Sequence, residues 1–195
     1  MSALLAEVSL GWTAQRAAGI GALLTSSGAV VLGVLAAAPA LSRGRLGAFP
    51  RKDLRPLHEA ASIATMVAIA LHVLLFVVDG FVTPGIVGAL VPFASPTMPL
   101  AVGLGQVAAY GMVALGLSYY ARGRIGPARW KRAHRFVAGF WLLAVVHTVT
   151  AGSDAGRLWF LAIALAPAVL AAGLLALRWW PRSEPVSAAR AGRAG

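Results

Sequence analysis

The chain has 195 residues, 59% hydrophobic and only 12% charged, with a mean hydropathy of +0.78. That charge fraction is about half that of a soluble domain, so the composition points to a single membrane domain. The absence of cysteine excludes disulfides, thiolate metal sites, iron–sulfur clusters and cysteine nucleophiles. The net charge of +11 falls in short loops between apolar runs, which argues against a nucleic-acid partner.

The first fifteen residues have no basic n-region and contain Glu7, so no secretory signal peptide is expected and the first apolar segment is retained. A membrane-crossing helix needs roughly 20 mostly apolar residues. Ala17–Ser42, between Arg16 and Arg43, predicts a first span at 16–40. Ala60–Val78, between Glu59 and Asp79, predicts a second at 56–79. Gly80–Ala121 is free of charge but too long for one helix. Its first half, GFVTPGIVGALVPFASPTMP, holds four prolines and three glycines and reads as a loop, with a short dipping segment near Ile86–Val91. Its second half predicts a third span at 99–121. Phe136–Ser153 and Leu158–Leu177 predict a fourth at 130–152 and a fifth at 157–180. No internal repeat is visible, and residues 181–195 read as a basic disordered tail.

Loop charge sets the orientation. The 41–57 loop, the 121–135 loop and the C-terminal region carry 15 of the 17 basic residues. The positive-inside rule therefore places the N-terminus outside and the C-terminus in the cytoplasm, as five spans require. The expected fold is an all-α integral membrane bundle of five transmembrane helices, multi-pass in a bacterial-type plasma membrane and in contact with lipid.

All four histidines lie in or beside two spans: His58 and His72 in the second, His134 and His147 in the fourth. Spacings of fourteen and thirteen residues correspond to roughly 21 and 19.5 Å along a helix. His58 and His134 then share a cytoplasmic level, and His72 and His147 an outer one. Imidazole ligates iron well, so a flat macrocycle between two facing helices at each level gives two six-coordinate sites and an electron path. The competing reading is interhelical hydrogen bonding by the histidines of a non-redox subunit or small transporter. A proton relay fits less well, since Glu59 is the only acid beside a histidine. One feature is awkward: at 100° per residue, thirteen positions leave His147 about 140° from the face of His134.

These residues resemble the ferric reductase-like transmembrane domain, the membrane core of ferric reductases and NADPH oxidases. In that family two helices each supply two haem ligands, spaced fourteen and then thirteen. "RAAGIGALL", "VPFASPTMPLAVGLG" and "RWKRAHRF…H" carry the resemblance, which covers residues 12–180. It implies two b-type haems, an inner one on His58 and His134 and an outer one on His72 and His147. It also implies that Arg16 meets an outer-haem propionate and that Phe140 sits between the haem levels. Larger family members carry a flavin and nicotinamide domain after the last helix, and no such site is recognisable in this sequence. The expected activity is transfer of single electrons from a separate cytoplasmic donor, such as a flavoprotein, to an acceptor outside. That acceptor is ferric iron, oxygen or a redox partner protein, the last as in the more distantly similar haem subunit of the periplasmic methionine-sulfoxide reductase. A cytochrome b561-type carrier fits the helix count less well. Asp154, just beyond His147, borders the outer acceptor site or simply ends a helix.

Overall fold

The computed structural model describes residues 10–37, 51–78 and 84–179. Arg43, Arg45, Asp79 and the 181–195 tail lie outside the described residues. The described residues form helices and turns without strands. In chain order these are α1 (Leu10–Ala37), α2 (Arg51–Val78), α3 (Gly85–Leu90), α4 (Pro99–Leu117), α5 (Arg122–Ile125), α6 (Pro127–His134), α7 (Val137–Ala151), α8 (Leu158–Phe160), a π-helical turn (Leu161–Leu165) and α9 (Ala166–Trp179). Four stretches are long and apolar enough to cross a membrane: Gly11–Ala37, Lys52–Val78, Pro99–Leu117 and Pro127–Ala151. The first four expected spans are therefore present.

The fifth expected span, 157–180, is broken. Its longest apolar helix is Ala166–Leu177, shorter than a bilayer crossing. Pro167 supplies the cause. Its ring cannot donate and crowds the carbonyl four residues earlier, and the chain relieves this with the wider π turn just before α9. Boundaries differ elsewhere for similar local reasons. Pro99 opens α4 from a left-handed Met98, because proline suits the first helical position. The segment expected as one helix at 130–152 is two, α6 and α7, joined at Arg135–Phe136.

The helices pack as two hairpins, α1 on α2 and α4 on α7, with α9 laid against α1. Where they meet, the interior is sealed by Trp141, which is 1% exposed and packs with Ala168, Ala171, Val30 and Met112. The Trp141 indole donates to the Ser27 hydroxyl at 3.1 Å, so this large ring brings its polar atom inside already satisfied. A second interhelical bond, Thr65 to Thr25 at 3.0 Å, ties α2 to α1.

The expected dipping segment forms α3. Its last carbonyls have no helical partner. The Gln106 amide donates to the Gly88 carbonyl at 2.9 Å, and the Tyr110 hydroxyl donates to that of Leu90. Phe93, held at a left-handed φ of 66°, packs its ring into the space left by Gly103. The proline-rich segment thus lies along α4, with the Gly88 and Leu90 carbonyls occupied by α4 side chains.

Candidate haem-ligand site

The four histidines meet in two pairs. The ring centres of His58 and His134 are 6.1 Å apart with planes at 89°. Those of His72 and His147 are 6.4 Å apart with planes at 75°. A metal bound by two imidazole nitrogens at about 2.05 Å, with about 1.15 Å more from each nitrogen to its ring centre, needs centres about 6.4 Å apart. Both pairs meet that requirement. Direct ring-to-ring contact is not what sets the spacing, because each ring is also held from behind.

What holds it is a backbone carbonyl. The Nδ1 of His58 is 2.8 Å from the Ala29 carbonyl and that of His72 is 3.0 Å from that of Gln15, both on α1. The Nδ1 of His147 is 2.8 Å from the Ala101 carbonyl on α4. A carbonyl can only accept, so Nδ1 carries the proton and Nε2 keeps its lone pair for a ligand. Such a bond fixes the ring's tautomer and orientation, as seen behind metal-bound imidazoles. His134 differs: the Leu115 carbonyl faces it, but its buried Nδ1 makes no hydrogen bond of normal geometry. It is instead stacked on Trp130, at 4.9 Å and 24°, whose indole donates to Ser118.

The two hairpins therefore repeat one arrangement that the sequence did not disclose. One helix of each presents carbonyls fourteen residues apart, Gln15 and Ala29 on α1 and Ala101 and Leu115 on α4. The other presents the two histidines.

The unequal histidine spacing is absorbed where α6 meets α7. Phe136, Ala138 and Gly139 donate to carbonyls three residues back rather than four. This local overwinding gains about 20° per residue over an α-helix, and the reach of the imidazole covers the remaining swing.

The residues around the His58 level suit a haem. A cavity of about 900 Å³ opens at the His58 level, with the cations of Arg55, Lys131 and Arg135 on its lining beside apolar Met66 and Met112. A flat apolar macrocycle with two carboxylates asks for that combination. Among the described residues no three His, Asp or Glu side chains gather to bind a bare metal ion. Two imidazoles per level would complete a metal whose other four ligands come from a macrocycle.

Arg16 lies next to Gln15, at the His72 level. Its guanidinium is bound to Asp154, with Nε at 3.0 Å and Nη2 closer still. Asp154 is 4% exposed and also has Arg157 at 3.5 Å. The carboxylate that Arg16 holds here is thus a side chain 138 residues away, a pairing with no sequence signature. It also gives Asp154 a structural task beyond ending a helix. Phe140, between His134 and His147 in the chain, packs its ring on Gly111 of α4.

Residues 18–145 match the model of a protein family described as the ferric reductase like transmembrane component. No curated protein and no solved structure matches the chain.

Proposed function

Because this chain belongs to the ferric reductase-like transmembrane family, whose activity is electron transfer across a membrane, we propose that it holds two b-type haems between bis-histidine pairs. Its N-terminus lies outside, with the broken Leu158–Trp179 segment as a fifth crossing. His58 and His134 would hold an inner haem, and His72 and His147 an outer one. The observation that carries this is the pair of ring separations, 6.1 and 6.4 Å, each fitting one metal between two imidazoles.

Bound haem would supply reversible one-electron chemistry. The protein's own part is orientation and shielding. The carbonyls of Gln15, Ala29 and Ala101 keep three Nδ1 atoms protonated and aim Nε2 inward. Trp141 and its apolar neighbours close the space between the hairpins to water. Arg55, Lys131 and Arg135 pair with the inner propionates. Arg16 commits Nε and Nη2 to Asp154 and offers its remaining donors to an outer propionate. Electrons would enter from a cytoplasmic donor carried on a separate domain or protein and leave to ferric iron, oxygen or a redox partner on the other side. The chain is thus the membrane subunit of an oxidoreductase.

The rival, non-redox reading draws on the same carbonyl bonds, since they are interhelical hydrogen bonds by histidine. It accounts for Nδ1 but not for two pairs of rings facing each other at one spacing. A visible spectrum of the purified protein decides. Two haems per chain, with reduced b-type bands and low-spin six-coordinate signals, are expected. A colourless protein that takes up no haem refutes the proposal.

A further inference from the structure

Three glycines stand where the ligand histidines touch the neighbouring helix. A Cβ built on Gly105 would lie 2.6 Å from the His147 Nδ1. One on Gly19 would lie 2.9 Å from that of His72, and one on Gly33 would lie 3.1 Å from the Cε1 of His58. Each glycine is four residues after the carbonyl that its histidine uses: Gln15 and Gly19, Ala29 and Gly33, Ala101 and Gly105.

The offset of four has a cause. In an α-helix the carbonyl of residue i accepts from the amide of residue i+4. Every Cβ leans toward the helix N-terminus, so the side chain of i+4 lies over the carbonyl of i and covers its second lone pair. Removing that Cβ uncovers the lone pair, and an imidazole can then lie flat on the helix and share the acceptor. Glycine in a helix interior costs stability relative to alanine, and other glycines of these helices face open space: Gly21, Gly28 and Gly139 have nothing within 4 Å of a built Cβ.

We propose that Gly19, Gly33 and Gly105 are positioning residues, ring seats that set the height and plane of three axial histidines. The inference rests on the bis-histidine haem reading above. The fourth position equivalent to a seat is Tyr119, four residues after Leu115. There the Nδ1 of His134 goes without a hydrogen bond and Trp130 stacking holds the ring instead. The inner haem thus has one seated and one unseated ligand, and the outer haem has two seated ligands.

The test uses the full-length, haem-loaded protein and alanine at each seat, with Gly21→Ala and Gly28→Ala as controls. The readouts are haem per chain and the low-spin EPR g-values, which follow the angle between axial ring planes. Gly105→Ala and Gly19→Ala should shift or abolish the outer-haem signal and leave the inner one unchanged. The shift should be larger for Gly105→Ala, where the overlap is tighter. Gly33→Ala should shift the inner signal alone and least, and both controls should match the wild type. If Gly105→Ala and Gly19→Ala prevent folding, Gly33→Ala decides: a shifted inner signal upholds the seats and an unchanged one overturns them. Wild-type spectra in Gly105→Ala and Gly19→Ala overturn the seats while leaving the function intact. A wild type without haem refutes the function itself, and this inference with it.

Discussion

His147→Ala separates the redox reading from the structural one most cleanly. The substitution removes one of two nitrogen ligands at the outer level and leaves the inner pair, 6.1 Å apart on the same two hairpins, untouched. Haem content should fall from two per chain toward one. The surviving signal should be the inner one, still reducible from the cytoplasmic side, while reduction of an outside acceptor should stop. The stability loss should be small. Alanine is the best helix former, α7 keeps its backbone bonds, and what disappears is one bond to the Ala101 carbonyl. Interhelical bonds of this kind contribute about 0.6 kcal/mol on average and rarely more than about 1.7. The deletion leaves a space shaped by Gly105 and bordered by a free carbonyl acceptor. Imidazole added to the medium should therefore enter, donate one N–H to Ala101, ligate with the other nitrogen and restore the second haem signal. The assay is a spectral titration of the variant against the wild type, with and without imidazole. An unchanged haem-to-protein ratio with unchanged spectra would refute the assignment.

Three further outcomes are expected. A reporter fused after Gly195 should be active only in the cytoplasm; activity on the other side would reverse the inner and outer labels. Trp141→Phe keeps an aromatic ring but removes the indole N–H that the Ser27 hydroxyl, which is 0% exposed, accepts from, and should cost about 1–3 kcal/mol in unfolding in detergent; adding Ser27→Ala should recover part of that, and a double variant as unstable as the single would sink the argument. Arg16→Ala leaves the buried Asp154 with only the more distant Arg157 and, because Arg16 is itself part-exposed, should cost about 2 kcal/mol rather than the larger figure for a fully buried pair; Asp154→Asn in the same background should relieve it.

The features legible in the sequence are those that one residue announces by itself. A histidine in an apolar run is conspicuous because lipid offers it no water, so the two levels could be read from polarity and a fixed rise per residue. The prolines between Pro84 and Pro99 announced a break, and α3 sits within the stretch expected to dip. The features that were not legible belong to pairs. Arg16 finds Asp154 across 138 residues, and nothing near either one indicates the other. The carbonyls behind the histidines are invisible for a stronger reason: every residue has one, so Gln15, Ala29 and Ala101 carry no mark of their task. The break inside the last expected span was not legible because window hydropathy counts apolar residues and ignores whether Pro167 lets them form one continuous helix.

The thirteen-residue spacing is where the local and the long-range arguments meet. Taken as ideal helix, it points His134 and His147 to different sides, and no rule of sequence says which of bulging, overwinding or a second approach resolves the conflict. The structure resolves it at Arg135–Phe136, where the amide bonds shorten from four residues to three. That choice has a consequence at the neighbouring histidine. His134 becomes the last residue of α6, with the chain turning just beyond it. Across from it, α4 has also ended, and residues 118–121 form turns. An imidazole can share a helix carbonyl only where that helix is regular and the position four residues on is bare. At the outer level Ala101 and Gly105 meet both conditions; at the inner level Leu115 is followed by the end of α4 and by Tyr119. His134 therefore lacks the bond that the other three histidines make, and the Trp130 ring, one turn earlier on α6, takes over its support. The missing residue in the spacing and the missing hydrogen bond both lie at this helix end: a local overwinding brings the second pair of histidines together and leaves one of the four histidines supported by stacking instead of a carbonyl.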